Sequence, residues 1–133
     1  MKSIARPKVI QPTSPSRVDI NGGLPNKLTA ICWLFEAMNT DVLVLTDTRL
    51  IESETELITR QAQKLLPLGT QYRHAPISTG RGTRIGGQLI IVSQRWSGSI
   101  MNFWKDESPF GLVTSLTLRC AHQDIQIIGS YWP

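Results

Sequence analysis

Asp41-Val-Leu-Val-Leu-Thr-Asp-Thr-Arg-Leu50 is the stretch on which the fold turns. Residues 42–45 form a continuous apolar run, too short for a buried helix and of ordinary length for a strand. A helical pattern precedes the run and a second helix start follows it. A strand between helices is normally central, with both faces covered, so no polar residue interrupts it. Asp47 stands at its C-terminal end, between Thr46 and Thr48, with Arg49 next. Ligands of open α/β sheets sit outside the carboxyl ends of the strands, which makes Asp47 the first candidate for chemistry. Taken alone, an acid in that place more commonly caps the turn that follows.

Working outward toward the N-terminus, Leu28, Ile31, Cys32, Phe35 and Met38 recur at helical spacing and make one apolar face. Trp33 and Leu34 widen that face, so a deeply packed helix is expected from Pro25-Asn26 to about Asn39. Asn21-Gly22-Gly23 before it is a strong turn signal, and residues 17–20 read as a short strand. Residues 1–16 are basic, rich in Pro and Ser and without periodicity, which reads as a disordered tail. The tail is acid-poor like a transit peptide, but Pro7, Pro12 and Pro15 break the amphipathic helix such a peptide needs.

Beyond Leu50, Ser53 and Glu56 have the spacing of a capping box. They open a helix to about Leu66, with Ile58, Ala62 and Leu65 on one side. Residues 71–75 read as a strand, 79–86 as a Gly- and Arg-rich loop, and 87–93 as another strand buried on both faces. Residues 99–104 form a further strand. Leu112, Thr114, Leu116 and Leu118 share one face of a period-two strand. Residues 121–124 form a hairpin turn, and 125–131 a final strand. The order is β-α-β-α followed by antiparallel strands, an α/β class with a mixed sheet. Two helices cover only one face of a six- or seven-stranded sheet. Burial therefore predicts a partner on the other face: a C-terminal half, a dimer mate or another protein. The aromatic, apolar ending Tyr131-Trp132-Pro133 points the same way.

The 133 residues suffice for one domain with a real core, and a hydrophobic content of 41% is that of a globular chain. No run approaches membrane-spanning length and no secretory signal opens the chain, so an intracellular protein, nuclear or cytoplasmic, is expected. Cys32 and Cys120 lie far apart with no CxxC, and both read as small buried hydrophobes in a reducing compartment. Charge is unevenly spread. Residues 19–56 hold seven acids and two bases, whereas 57–105 hold seven bases and no acid. Such a division suits a site that holds a cation near a polyanion, and equally an ordinary mixed surface. Gly80-Arg-Gly-Thr-Arg-Ile-Gly-Gly87 lacks the Gly-Lys-Ser/Thr ending of a P-loop. Arg81 and Arg84 within it, and Arg49, are placed to meet backbone phosphates. His74 and His122 read as surface histidines.

Three stretches occur in a telling order: Val18-Asp-Ile-Asn-Gly-Gly-Leu24, the Thr46-Asp47-Thr48 strand end, and Gly87-Gln-Leu-Ile-Ile-Val-Ser93. Gly129-Ser-Tyr-Trp-Pro133 follows them. The order resembles the N-terminal half of the endonuclease/exonuclease/phosphatase family, closest to the apurinic-type endonuclease domain of non-LTR retrotransposons. The resemblance spans residues 17–133 and implies half of a two-sheet α/β sandwich. It implies Mg²⁺ as cofactor, with Asp47 and Asn21 on the metal side and Asp19 and Tyr131 as catalytic residues. DNA is the implied partner. Asp47 stands where the family carries Glu, which withdraws the carboxylate by about one methylene and favours a water-bridged contact over direct ligation of a close octahedral ion. The family's later Asp-x-Asn and Asp-His motifs, which serve the attacking water, have no counterpart here.

Three functions follow as expectations. The first is a truncated or degenerate Mg²⁺-dependent phosphodiesterase, inactive alone. The second is a non-catalytic nucleic-acid-binding module. The third is an assembly piece packing an open sheet face on a partner.

Overall fold

The computed structural model describes residues 15–79 and 81–133. Most of the expected N-terminal tail lies outside them. Strand β1 (Pro15–Asp19) leads into helix α1 (Leu24–Ala37), strand β2 (Val42–Thr46) and helix α2 (Glu52–Leu65). Strands β3 (Gln71–Ala75) and β4 (Gln88–Val92) come next. A 3₁₀ turn (Gln94–Ser99) then leads to β5 (Ile100–Lys105), β6 (Val113–Arg119) and β7 (Asp124–Ser130). β1 thus begins at Pro15, inside the stretch expected as tail.

The strands form two sheets rather than one. The first has the order β1-β2-β4-β3, parallel between β1 and β2 and antiparallel elsewhere, and the second has the order β5-β6-β7, all antiparallel. The expected α/β class and two-sheet layering are both present. The 3₁₀ turn after β4 carries the chain off the first sheet. β5 therefore starts a new layer instead of extending the old one.

That second layer corrects the expectation of a bare face. β2 and β4 are buried on both sides. Leu43, Leu45, Leu89 and Ile91 pack with Leu28, Cys32, Phe35, Ile58 and Ala62 of the helices. Val42, Val44, Ile90 and Val92 pack with Leu116 and Leu118 of the second sheet, flanked by Trp96, Ile100, Phe103 and Ile127. Successive residues of a strand point to opposite faces, so each apolar run supplies both layers. The cover that burial demanded comes from the chain itself.

The helices differ from expectation in detail. Gly23, at φ 70°, precedes α1, and Pro25 sits in its first turn, where its missing N–H costs nothing. Asn39, at φ 53°, ends it in left-handed backbone. Leu28, Ile31, Cys32 and Phe35 face the core, but Trp33 is 67% and Met38 68% exposed, and Leu34 is exposed beside them. Met38 therefore leaves the expected apolar face, and Trp33 and Leu34 do not widen it. α2 starts at Glu52, and it is the Glu54 side chain that caps its first turn, at Ile51, in place of a Ser53–Glu56 capping box. The Ile51 N–H donates to Glu54 Oε1 at 3.1 Å and the Glu54 N–H to the Ile51 carbonyl at 3.0 Å. A parallel bridge between Ile51 and Ile77 holds Ile51 extended, so the helix begins at the next residue. Leu65 is exposed and Leu66 is buried in its stead.

Cys32 and Cys120 are both buried, and burial pushes the Cys32 thiol up to about 11. His74 is not a surface residue. Its Nε2 lies 2.6 Å from Thr59 Oγ1, and burial, with the Lys105 charge, lowers its pKa to about 4. No helix of the described residues is long and apolar enough to cross a membrane.

Candidate functional site

Among the described residues, four that are not glycine have left-handed backbone: Asn21 (φ 55°), Asn39, Asp47 (φ 58°) and Arg49 (φ 62°). Such a conformation costs of order 1–3 kcal/mol per residue and persists where the surroundings impose it. Three of the four meet at one place, the C-terminal ends of β1 and β2. The parallel pairing of Asp19 with Thr46 brings the two strand ends level. The Gly22 N–H then donates to the Asp47 carbonyl at 2.9 Å, and the Arg49 N–H to the Gly86 carbonyl at 2.8 Å. Backbone bonds on both sides thus hold Asp47 and Arg49 in place.

The side chains converge as tightly. Arg49 Nε donates to Asp47 Oδ1 at 3.2 Å and Nη2 to Oδ2 at 2.8 Å, a two-pronged pair. The same Nη2 donates to Asn21 Oδ1 at 2.6 Å. The Gly86 N–H donates to Asp47 Oδ1 at 2.8 Å. The Tyr131 side chain, just after β7, lies close enough to favour the ionised Asp47 carboxylate. Asp47 itself is 1% exposed. Burial pushes its acid up, but the Arg49 and Gly86 hydrogen bonds, the Arg49 charge and Tyr131 outweigh that and hold it below the usual range. Burial and the Asp47 charge push the Tyr131 phenol up.

Most residues singled out from the sequence meet here. Asp47, Asn21, Arg49 and Tyr131 form one cluster. Asp19 lies beside it, its Oδ1 accepting the Asn21 N–H at 3.2 Å and its charge reaching Tyr131. Arg84 sits at the border, where Nη1 donates to the Arg49 carbonyl at 3.1 Å and to Glu54 Oε1 at 2.6 Å. Arg81 stands apart on the outer loop, lining a separate groove with Arg84 and Phe110. Two contributors have no clear signature in the sequence. The Gly86 amide carries no side-chain signal, though the Gly-Gly pair before an apolar strand marks a close approach. Gln88 is buried between the sheets, its Nε2 donating to the Leu112 and Gly129 carbonyls at 2.8 and 3.2 Å while Thr114 Oγ1 donates to its Oε1 at 2.9 Å. It ties β7, and so Tyr131, to the first sheet.

A bound Mg²⁺ takes oxygen ligands in a near-ideal octahedron at about 2.0–2.1 Å. The arrangement does not fit that ion. Both Asp47 oxygens and Asn21 Oδ1 already accept hydrogen bonds from the chain itself. Among the described residues no three His, Cys, Asp or Glu side chains come together to hold a metal. What the cluster offers is a partly exposed guanidinium lining a groove of about 460 Å³, with the Tyr131 phenol near it.

The layering of two sheets with helices outside is shared with known structures. The chain has the fold of the endonuclease/exonuclease/phosphatase proteins. An AP endonuclease from Leishmania major superposes with a TM-score of 0.64 at 16% identity, over 87% of this chain and 38% of its own. An endonuclease/exonuclease/phosphatase family protein from Leptotrichia buccalis superposes with a TM-score of 0.64 at 14% identity, over 88% of this chain and 54% of its own. A 3′ phosphatase from Neisseria, bound to a product DNA hairpin, gives a TM-score of 0.59 at 17% identity, over 87% and 39%. The chain thus spans between about two fifths and just over half the length of these structures. No protein-family model matches it, and no curated protein matches it in sequence.

Proposed function

We propose that this chain is the phosphodiester-binding part of an endonuclease-like domain, and that by itself it holds nucleic acid without cleaving it. The observation that carries this reading is the convergence of Arg49 and Tyr131 on Asp47 at the strand ends. Arg49 supplies hydrogen-bond donors suited to a non-bridging phosphate oxygen, since its Nη1 lies outside the bonds to Asp47 and Asn21. Arg84 lines the same groove, and Arg81 lines a second one that Arg84 also borders, where neighbouring phosphates of a strand would lie. DNA is the proposed nucleic acid, because a structural neighbour is bound to a DNA hairpin.

The chemistry of hydrolysis is what the cluster lacks among the described residues. Water attack needs a group free to take its proton. Asp47 is tied to Arg49 and Gly86, His74 is tied to Thr59, and His122 is exposed in the turn before β7. Asp19 and Tyr131 are assigned to positioning: Asp19 holds the Asn21 turn, and Tyr131 flanks the Asp47–Arg49 pair. Mg²⁺, implied by the resemblance, has no role in this reading.

Salt titration of DNA binding tests it. Log K should fall linearly with log salt, and Arg81→Ala/Arg84→Ala should reduce the slope by about 1 for each phosphate the protein no longer neutralises. Supercoiled DNA should stay intact with Mg²⁺ present. Salt-independent binding, or nicking that Asp47→Ala abolishes, would overturn the proposal.

A second reading, an assembly piece, is favoured by one observation. An apolar groove beside the edge strand β1 is lined by Val18, Ile31, Leu34, Phe35 and Met38. Concentration-dependent sedimentation with no DNA binding would favour it.

A further inference from the structure

We propose that Arg49 is the resident cation of this site, so that it binds a phosphate oxygen without any divalent metal. The inference rests on the phosphodiester-binding reading and says what that site uses in place of a metal.

The site is built around the guanidinium. Asp47 and Arg49 hold left-handed backbone at φ 58° and 62°, and these turns aim their side chains at one another across Thr48. The Arg49 stem passes directly over Gly22, where a Cβ would lie 3.0 Å from its Cδ. A side chain at Gly22 would crowd Arg49, and φ 76° there already favours glycine. Asn21 Oδ1, which a metal would need as a neutral oxygen ligand, instead accepts from Arg49 Nη2. Three separate features therefore serve this one side chain: two strained turns, a cleared path and a polar anchor.

The replacement changes the chemistry. A guanidinium brings one positive charge and only donors, in a rigid planar fork. It cannot polarise a bound water into a nucleophile as a metal can. It can bond a phosphate oxygen, and it does so without a third component. A third of the Arg49 side chain remains exposed, toward a groove that Arg84 also lines. The ligand class is a phosphodiester or terminal phosphate, held by guanidinium hydrogen bonds. A metal entering at Asp47 would first have to displace Arg49 and leave its charge beside the ion.

The test uses Mn²⁺ as a paramagnetic probe on the intact chain, read by amide NMR. Mn²⁺ accepts oxygen ligands of the same kind as Mg²⁺. The amides of Asp47, Thr48, Gly86 and Gly87 should keep their intensity relative to amides elsewhere in the chain. Selective loss of those signals would overturn the proposal. In Arg49→Met, which keeps the apolar stem, the same signals should be lost on adding Mn²⁺. Their survival in a folded Arg49→Met protein would count against Arg49 as the group that excludes the ion. If that variant does not fold, the wild-type result decides alone. DNA binding on the same samples separates the two claims. DNA bound together with selective broadening at Asp47 would sink the resident cation and leave the phosphodiester reading standing. No DNA binding and no broadening would sink the phosphodiester reading and leave Arg49 as the cation at Asp47.

Discussion

Arg49 grips Asp47 with two hydrogen bonds, Nε to Oδ1 at 3.2 Å and Nη2 to Oδ2 at 2.8 Å, although only one residue separates them in the chain. Both residues hold left-handed backbone in this grip, at φ 58° and 62°. Asp47 is 1% exposed, so its charge depends on this partner. Arg49→Ala leaves a buried carboxylate without its cation and should cost about 3 kcal/mol in urea unfolding. The double change Asp47→Asn/Arg49→Gln, which removes both charges, should cost less than Arg49→Ala alone. Equal costs would show that the pair is not coupled.

His74 sets a pH dependence. Its folded pKa is about 4 against an ordinary 6.5, so the fold favours the neutral ring. The stability it contributes is complete above about pH 6.5 and is lost as pH falls toward 4, because the unfolded chain takes up the proton first. At a shift of this size the loss is roughly 3 kcal/mol at most. Thermal melts between pH 7.5 and 4.5 should show Tm falling, and His74→Gln should flatten that slope. An unchanged slope in His74→Gln would assign the dependence to other groups.

Gly129 lets β7 approach the first sheet. A Cβ there would lie 2.4 Å from Gln88 Oε1, 2.7 Å from Thr114 Oγ1 and 2.9 Å from Val44 Cγ1. Gly129→Ala must push the sheets apart or break the Gln88–Thr114 bond, and should cost about 1–3 kcal/mol. Because Tyr131 follows two residues later, the same change should weaken DNA binding at temperatures where the protein stays folded. Isothermal unfolding and binding on one preparation check both effects.

The two sides of α1 should respond differently. Phe35→Ala opens the core and should cost about 3–5 kcal/mol. Trp33→Ser and Met38→Ser, on the exposed side, should each fall within about 0.5 kcal/mol of the parent. Chemical denaturation of the three variants separates the buried face from the solvent face.

That contrast also marks where the sequence stops being legible. The apolar runs of β2 and β4 identify themselves, since both faces are buried and no polar residue interrupts them. In α1 the core positions Leu28, Ile31, Cys32 and Phe35 obey the period and are buried, but Met38, which obeys it just past the helix end, and Trp33 and Leu34 beside it are exposed. Hydrophobicity alone cannot tell a packed Trp from an exposed one. Ser53 and Glu56 have the right spacing for a capping box, yet a distant bridge from Ile77 holds Ile51 extended and starts the helix before Ser53. The sequence does not separate the second sheet from the first, because alternation shows which residues share a face, not which layer the strand joins. At the site, the residue types around Asp47 are visible from their order. Their mutual geometry is not, because it depends on left-handed turns at non-glycine residues and on a backbone amide from Gly86.

Metal dependence of DNA binding is the most direct test of the central claim, that the site engages phosphate through Arg49 and not through a divalent ion. Anisotropy of a labelled DNA hairpin would be measured with the intact chain in EDTA and in Mg²⁺ at matched ionic strength. Binding in EDTA should be at least as tight as in Mg²⁺, and Arg49→Gln should weaken both by about tenfold, the scale of one lost charged hydrogen bond. Binding that appears only when Mg²⁺ is supplied would contradict it.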